Sequence, residues 1–305
     1  MKLLKDILYK VSVNAVYGDT NVKVAQVDFD SRKVVKDSLF VAQIGNSVDG
    51  HLYIGKAISL GATTIICEEL PIHLEANITF IQVEDSNKTL AIIASNFYDN
   101  PSSKLKLIGV TGTNGKTTVA SLLYQLFKKS GYKTGLLSTV QILVDTTVFN
   151  ATHTTPDSVT INSYLHQMVL LGVDYCFMEV SSHGIHQKRT EGLEFAGGIF
   201  TNLSHDHLDY HVSFASYRDV KKSFFDSLPK TAFALTNLDD KNGNVMLQNT
   251  KARKRTYALK TLADYKAKII EKSFSGTLIS INDTEFWTKL IGNFNAYNLA
   301  AIIGV

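Results

Sequence analysis

"GVTGTNGKTT", residues 109–118, is the stretch on which the rest of this sequence turns. The ordinary phosphate-binding loop needs a Gly, four residues of any type, then Gly-Lys-Ser/Thr. Counting back from Gly115 puts Val110 where the first Gly belongs, and the nearest loop glycine is Gly112. The flanks support a phosphate loop all the same. "LKLIGV" (105–110) reads as a buried strand. Val119, Leu122, Leu123, Leu126 and Phe127 recur at the spacing of one helix face, and Gly131 is placed as a C-cap. In such a unit Gly112 and Gly115 let the backbone approach phosphate oxygens, and the helix N-terminus supplies positive potential. Lys116 reaches the terminal phosphates, and Thr117 or Thr118 offers a hydroxyl to Mg²⁺.

The chain of 305 residues has room for about two domains. With 45% hydrophobic and 19% charged residues it can bury a sizeable core, and four prolines with no low-complexity tract exclude a disordered class. A net charge of +3 and the lack of a basic run point to no nucleic-acid partner. The densest basic spot, Lys251–Lys254, reads as a solvated loop or helix end. Cys67 and Cys176 lie in apolar stretches and read as buried thiols of a reducing compartment. Asp6 and Lys10 interrupt the segment that a signal peptide needs, and no apolar run spans a membrane. The expectation is a cytoplasmic protein, monomeric and without membrane insertion.

The fold expected is α/β. Residues 1–100 form a small α/β domain with strands in "SLFVAQIG" (38–45), "ATTIICEE" (62–69) and "ITFIQVED" (78–85). A helix follows in "TLAIIASNFYDN" and stops before Pro101, and the Pro-Ser-Ser stretch marks the boundary. Residues 101–305 then alternate strand and helix, with strands at 173–180, 197–203 and 231–238, which favours a mostly parallel sheet flanked by helices.

Three further stretches carry chemistry. In "MEVSSHGIHQKR" (178–189), Glu179 ends an apolar strand beside the phosphate loop, a natural place for a Mg²⁺ ligand. "FTNLSHDHLDYH" (200–211) packs three histidines and two aspartates into residues 205–211, and seven of nine histidines fall between His153 and His211. A zinc site from His205, His207 and Asp206 or Asp209 is one reading, and a helix start capped by Ser204 or Asp206 is the other. "HTTPDS" (153–158) reads as a turn in which Asp157 or Ser158 caps the next helix.

Taken in order, "GTNGKTT", "TTPDS", "MEVSSHGIHQKR", "FTNLSHDHLDYH", "YRDVKKSFF" (217–225) and "GNFNAYNLAA" (292–301) resemble the Mur ligases. The likeness is to the branch that adds the third residue of the peptidoglycan stem peptide. "FDSRKVVKDSLFVAQIGNSVDGHLYIGKAISLGA" (29–62) resembles the uridine-binding segment of that branch. The resemblance covers nearly the whole chain, and it accounts for the short loop spacing. "SSHG" with Gln187 and Arg189, and "DHLDYH", separate it from the folylpolyglutamate synthetases, which share "GTNGKTT".

The resemblance implies an N-terminal UDP-sugar-binding domain (1–100) and a central ATP-binding domain (101–305), the latter continuing past Val305 into a further domain that selects the incoming amino acid. It implies ATP on Gly112, Thr113, Asn114, Gly115, Lys116, Thr117 and Thr118, with Asn295 near the adenine. Mg²⁺ would be held by Thr117, Glu179, His207 and Lys221, the lysine as its carbamate, and Lys116, Lys221 and His207 would be the catalytic set. UDP-N-acetylmuramoyl-L-Ala-D-Glu would meet Phe29, Ser31, Asn46, Ser47 and Val48 at its uridine end. Its peptide end would meet His153, Thr154, Thr155, Ser181, Gln187 and Arg189. A diamino acid would be the second substrate, joined through an acyl phosphate. A non-catalytic nucleotide-binding module is the alternative from another class.

Overall fold

The computed structural model describes residues 1–45, 48–206 and 208–305, with the backbone alone for Leu208 and Asp209. The chain divides into two compact units. The first comprises Met1–Pro101 together with Asp157–His166 and Gln187–Leu193, and the second holds the remainder. Two short segments from beyond the Pro-Ser-Ser stretch therefore pack with the first unit.

In the first unit, five strands run in the order Ala15–Tyr17, Thr79–Gln82, Ala62–Cys67, Ser38–Val41, Gln26–Asp28. All neighbours are parallel except the first pair. Successive strand residues point to opposite faces, and here both faces are buried. Leu39, Val41, Ile66 and Ile81 pack with Leu90 and Ile93 of the helix Ser86–Phe97. Phe40, Ile65 and Phe80 pack on the other side with Ile54 and Ala57 of the helix Ile54–Ser59. Asp85 caps the helix Ser86–Phe97 by accepting the Lys88 N–H at 2.8 Å. Asp99 and Asn100, at φ 63° and 50°, end its run just before Pro101.

The second unit is built on an eleven-stranded sheet. Its seven central strands are parallel, in the order Thr134–Leu137, Tyr175–Glu179, Lys106–Thr111, Gly197–Phe200, Phe233–Asn237, Arg253–Ala258, Tyr265–Ser273. A hairpin, Gln141–Val144 with Thr147–Asn150, extends one edge. Gly276–Ile281 and Thr284–Thr288 extend the other, also antiparallel. Chain direction across the sheet reverses at Lys106–Thr111: the next strands lie to one side of it, and Gly197–Phe200 lies on the other. Such a switch point opens a crevice at the strand C-termini. Glu179 pairs with Val110 and Phe200 with Thr111, so three strand ends meet there.

The sequence reading needs two corrections here. Lys251–Lys254 is not a free loop or helix end throughout, because Arg253 and Lys254, though exposed, open a parallel strand. The core face of the helix Lys116–Lys129 is Val119, Ala120, Leu123 and Tyr124, with Leu122 and Phe127 partly buried, whereas Leu126 is 42% exposed. Beyond this helix the chain turns as expected. Gly131, at φ 92°, donates to the Lys128 carbonyl, and Tyr132 donates to that of Phe127, both at 3.1 Å. That pair of bonds is a Schellman closure.

Leu123→Ala is expected to cost about 2–5 kcal/mol by leaving a cavity. Leu126→Ala should stay within about 0.5 kcal/mol, as surface changes do. Urea unfolding of the two variants checks the assignment, and equal losses would contradict it.

Candidate active site

The loop after Thr111 is shaped by two glycines with positive φ, 145° at Gly112 and 87° at Gly115. A Cβ on Gly112 would lie 2.0 Å from the Thr201 hydroxyl oxygen, and one on Gly115 would lie 2.7 Å from Asn298 Oδ1. Space as well as conformation therefore requires glycine at both positions. Thr113 N–H donates to the Asn202 carbonyl at 2.8 Å and Asn114 N–H to Asn202 Oδ1 at 3.0 Å, which ties the loop to the neighbouring strand end. The helix Lys116–Lys129 starts at Gly115 with no side-chain cap, so its first N–H groups and its dipole face the loop. This is an anion cradle.

Two lysines reach into it. Lys116 Nζ folds back to donate to the carbonyls of Gly112 at 3.0 Å and Thr113 at 2.9 Å. Lys221, on the helix Phe214–Asp226, is 1% exposed and donates to the same Gly112 carbonyl at 3.1 Å. Its Nζ lies 4.7 Å from the Tyr217 ring centre, one helical turn back. Burial pushes the Lys221 amine well below the ordinary lysine value, and the Lys116 charge adds to that, against a pull upward from Asp206. Burial lowers Lys116 as well, offset by Glu179 and Asp206. Lys222 points elsewhere and pairs with Asp226 at 2.6 Å.

Glu179 is fully buried at its strand end. Its carboxylate accepts the Thr139 N–H at 2.8 Å and the Thr139 hydroxyl at 3.1 Å. The "HTT" turn is fastened to the same strand end, since the Thr155 hydroxyl donates to the Glu179 carbonyl at 2.8 Å and accepts the Ser181 N–H at 2.9 Å. The Thr154 hydroxyl lies 3.2 Å from that of Thr139, and exposed His153 contacts Thr152. Ser181 accepts the Gly184 N–H at 3.1 Å. His153, Thr154, Thr155 and Ser181 belong to the second unit, Gln187 and Arg189 to the first. Arg189 donates through Nε and Nη2 to Gln187 Oε1, at 3.0 and 2.6 Å. Asp157 is the residue that caps the following helix, accepting the Thr160 N–H at 2.9 Å. His207, Asn46 and Ser47 lie outside the described residues. Among the described residues, no three His, Cys, Asp or Glu side chains cluster as a metal site.

Beside the loop lies a cavity of about 460 Å³, lined by Asn114, Gly115, Asn202, Asp239, Phe294, Tyr297 and Asn298, among others. Asn295 does not line it. Its amide donates to the Ile291 carbonyl at 2.9 Å, and its oxygen accepts from Asn298 at 3.2 Å. Asn298, one helical turn on, is the asparagine that meets the loop at Gly115. Asp239 frames the cavity. Its carboxylate accepts N–H bonds from Leu259, Lys260 and Thr261, each at 2.8 Å, and the Tyr297 hydroxyl at 2.9 Å. Burial alone would raise this carboxyl, but hydrogen bonds from Thr261 and from the backbone of residues 259–261 outweigh it and hold it well below 3.8.

The first unit has its own cavity of about 440 Å³, lined by Phe29, Ser31 and Val48 together with Asp30, Arg32, Gln43, Tyr53 and Lys56. Asp30 caps the turn Ser31–Lys33 and grips Arg32 through Nε and Nη2, at 2.8 Å each, which holds its carboxyl at about 2. Sequence reasoning missed Gln43, Asp239, Tyr297, Asn298 and Thr139. Of these only Asn298 carried a signal, as the second asparagine of "NFNAYN".

Both parts of the chain match a known family. Residues 110–305 match the family "Mur ligase middle domain", and residues 23–98 match "Mur ligase family, catalytic domain". The chain belongs to the Mur ligase family. A curated relative from Cytophaga hutchinsonii, UDP-N-acetylmuramoyl-L-alanyl-D-glutamate–2,6-diaminopimelate ligase, is 56% identical over 98% of this chain and 62% of its own length. A ligase of the same name from Phocaeicola vulgatus is 53% identical over 100% of this chain and 63% of its own. A solved structure of a ligase with that name superposes with a TM-score of 0.83 at 25% identity, over 99% of this chain and 62% of that one. The chain thus spans somewhat under two thirds of the length of the relatives it matches.

Asp239→Asn is expected to cost about 2 kcal/mol at neutral pH by turning an N–H toward backbone donors. Asp239 has a lowered folded-state pKa, so its contribution is complete above 3.8 and is lost as pH falls through the folded value. The stability gap between wild type and variant should therefore narrow in acid, as thermal melts over that range would show. A gap constant with pH would contradict the assignment.

Proposed function

We propose that this chain carries the substrate-binding and ATP-binding parts of an enzyme that joins 2,6-diaminopimelate to UDP-N-acetylmuramoyl-L-Ala-D-Glu. The observation that carries the reading is the convergence of Lys116 and buried Lys221 on one carbonyl of an anion-binding loop. Relatives that are 51–56% identical support the choice of substrates through their names. Residues 1–100 take the nucleotide-sugar, with its uridine end in the cavity of Phe29, Ser31 and Val48, and Asn46 and Ser47, outside the described residues, are proposed to join them. Residues 101–305 take ATP, its phosphates on Gly112–Thr118 and its nucleoside in the cavity of Asn298 and Tyr297, with Asn295 bracing Asn298. His153, Thr154, Thr155, Ser181, Gln187 and Arg189 hold the peptide. The reaction belongs in the cytoplasm, where ATP is available, and a monomer suffices for it.

A carboxylate is a poor electrophile, so the D-Glu carboxylate first attacks the γ-phosphorus of ATP. ADP leaves and an acyl phosphate forms. The amine of the diamino acid then attacks the acyl carbon, phosphate leaves with the bonding pair, and the amine proton passes to solvent or to a base. Lys116 and the helix N-terminus offset the charge on the phosphates. Burial favours the neutral form of the Lys221 amine, the form whose lone pair adds to CO₂ with loss of a proton to give a carbamate. That change puts an anion where the amine stood beside the loop. The Thr117 hydroxyl, the buried Glu179 carboxylate and such a carbamate are hard oxygen donors of the kind Mg²⁺ takes, and His207 would complete the set. Mg²⁺, when bound, would neutralise charge on the transferring phosphoryl group.

Calorimetry with UDP-N-acetylmuramoyl-L-Ala-D-Glu, against the same compound lacking D-Glu, tests the reading. Binding at least about tenfold tighter with D-Glu present is expected, a difference of roughly 1.4 kcal/mol. Equal binding would move the chain to another step of the family's chemistry. Binding of neither by a folded sample would favour a non-catalytic nucleotide-binding module.

A further inference from the structure

We infer that His51 is a positioning residue for the nucleotide-sugar cavity, and that it acts as a neutral hydrogen-bond acceptor. The inference rests on the proposed reading of that cavity and goes beyond it. Gln43, Gly45, Val48 and Gly50 line the cavity from one segment. Its described residues are bonded to one another: Gly45 N–H donates to the Val48 carbonyl at 3.0 Å and Gly50 N–H to that of Gln43 at 2.9 Å. A Cβ on Gly50 would lie 2.7 Å from the Gln43 nitrogen, so the two limbs are in close contact.

What fastens the segment to the sheet is a closed set of polar contacts. Ser86 donates its N–H and its hydroxyl to Glu68 Oε1, at 2.8 and 2.6 Å, while the hydroxyl oxygen accepts the Ile44 N–H at 3.2 Å. Asn87 donates to the Ile44 carbonyl at 3.2 Å and accepts from the Gln43 side chain. His51 closes the other limb. Its Nε2 accepts the backbone N–H of Glu68 at 3.0 Å and of Glu69 at 3.2 Å, just past the end of the strand Ala62–Cys67. Its Nδ1 lies 2.6 Å from Asp49 Oδ1, which also accepts the His51 N–H at 2.9 Å.

These partners fix the tautomer. Two N–H donors facing Nε2 require a lone pair there, so the ring proton sits on Nδ1 and donates to Asp49. Protonating the ring would aim a third N–H at two others and break the attachment, whatever Asp49 gains in charge pairing. The other charged groups on the facing strand end are Glu68 and Glu69. The Glu68 carboxylate is taken up by Ser86, and Glu69 is exposed.

The test is titration of the 305-residue chain with uridine 5′-diphosphate by calorimetry. His51→Ala is expected to bind about tenfold more weakly than wild type. His51→Gln, whose amide oxygen can accept the same N–H groups, should recover most of that loss. His51→Ala binding as wild type does, or His51→Gln binding no better than His51→Ala, would overturn the inference. A ligand-independent arm separates it from the proposed function. Hydrogen exchange at the Glu68 and Glu69 amides should be slow in wild type and at least about tenfold faster in His51→Ala, and ¹⁵N spectra should place the ring proton on Nδ1. Unchanged exchange, or a proton on Nε2, would refute the His51 attachment. A wild-type chain that binds no uridine nucleotide yet passes this second arm would refute the function assigned to the cavity.

Discussion

The carbonyl oxygen of Gly112 receives both Lys116 and Lys221, and the rest of the second unit is arranged around that shared acceptor. Two ammonium groups on one oxygen repel each other, and one of them is buried. In water such a pair would separate. Here the strand Lys106–Thr111 and the helix Lys116–Lys129 fix the loop from both ends, and the helix Phe214–Asp226 delivers Lys221 from the side. Burial and like charge favour the neutral amine of Lys221. An apolar residue in its place would pack more cheaply, so the buried amine marks a site that an anion beside the loop would relieve.

Close approach sets the other terms. Gly112 lies against Thr201 and Gly115 against Asn298, so the loop touches a neighbouring strand end on one side and the helix Asn293–Ile303 on the other. That helix also carries Phe294 and Tyr297, which complete the cavity beside the loop, while Asp239 ties Tyr297 to residues 259–261. The anion-binding loop and the cavity beside it thus share one frame, and a change at Gly115 would reach both. The first unit solves a similar problem with polar contacts, which hold Ile44 on one limb and His51 on the other from outside the cavity that Gln43, Gly45, Val48 and Gly50 line.

The fold was legible wherever the evidence was local. A strand, a Gly-rich loop and an amphipathic helix are contiguous at 105–131, and the core strands of both units are plain apolar runs. The outer strands Tyr265–Ser273 and Thr284–Thr288 were not legible, because they mix lysine, glutamate and threonine among their apolar residues and are only partly buried. Leu126 fits the helical spacing, yet it falls at the edge of the buried face. Asn295 and Asn298 sit one turn apart, and only packing against Gly115 shows which one meets the loop. Lys221 and Lys222 are adjacent in sequence, and tertiary structure alone separates a buried amine from one paired with Asp226. Asp239 gave no sign in "TNLDDKNG", since its partners come from residues 259–261 and 297.

The most direct measurement is an NMR titration of the lysine side chains in ¹³C-lysine-labelled protein, with Lys221 assigned through Lys221→Arg. Two lysines should titrate below the remainder, Lys221 lowest, and its value should rise in Lys116→Met without reaching the ordinary 10.5. Lys221 titrating with the exposed lysines, unmoved by Lys116→Met, would contradict the account of a buried amine held beside a second cation on one loop carbonyl.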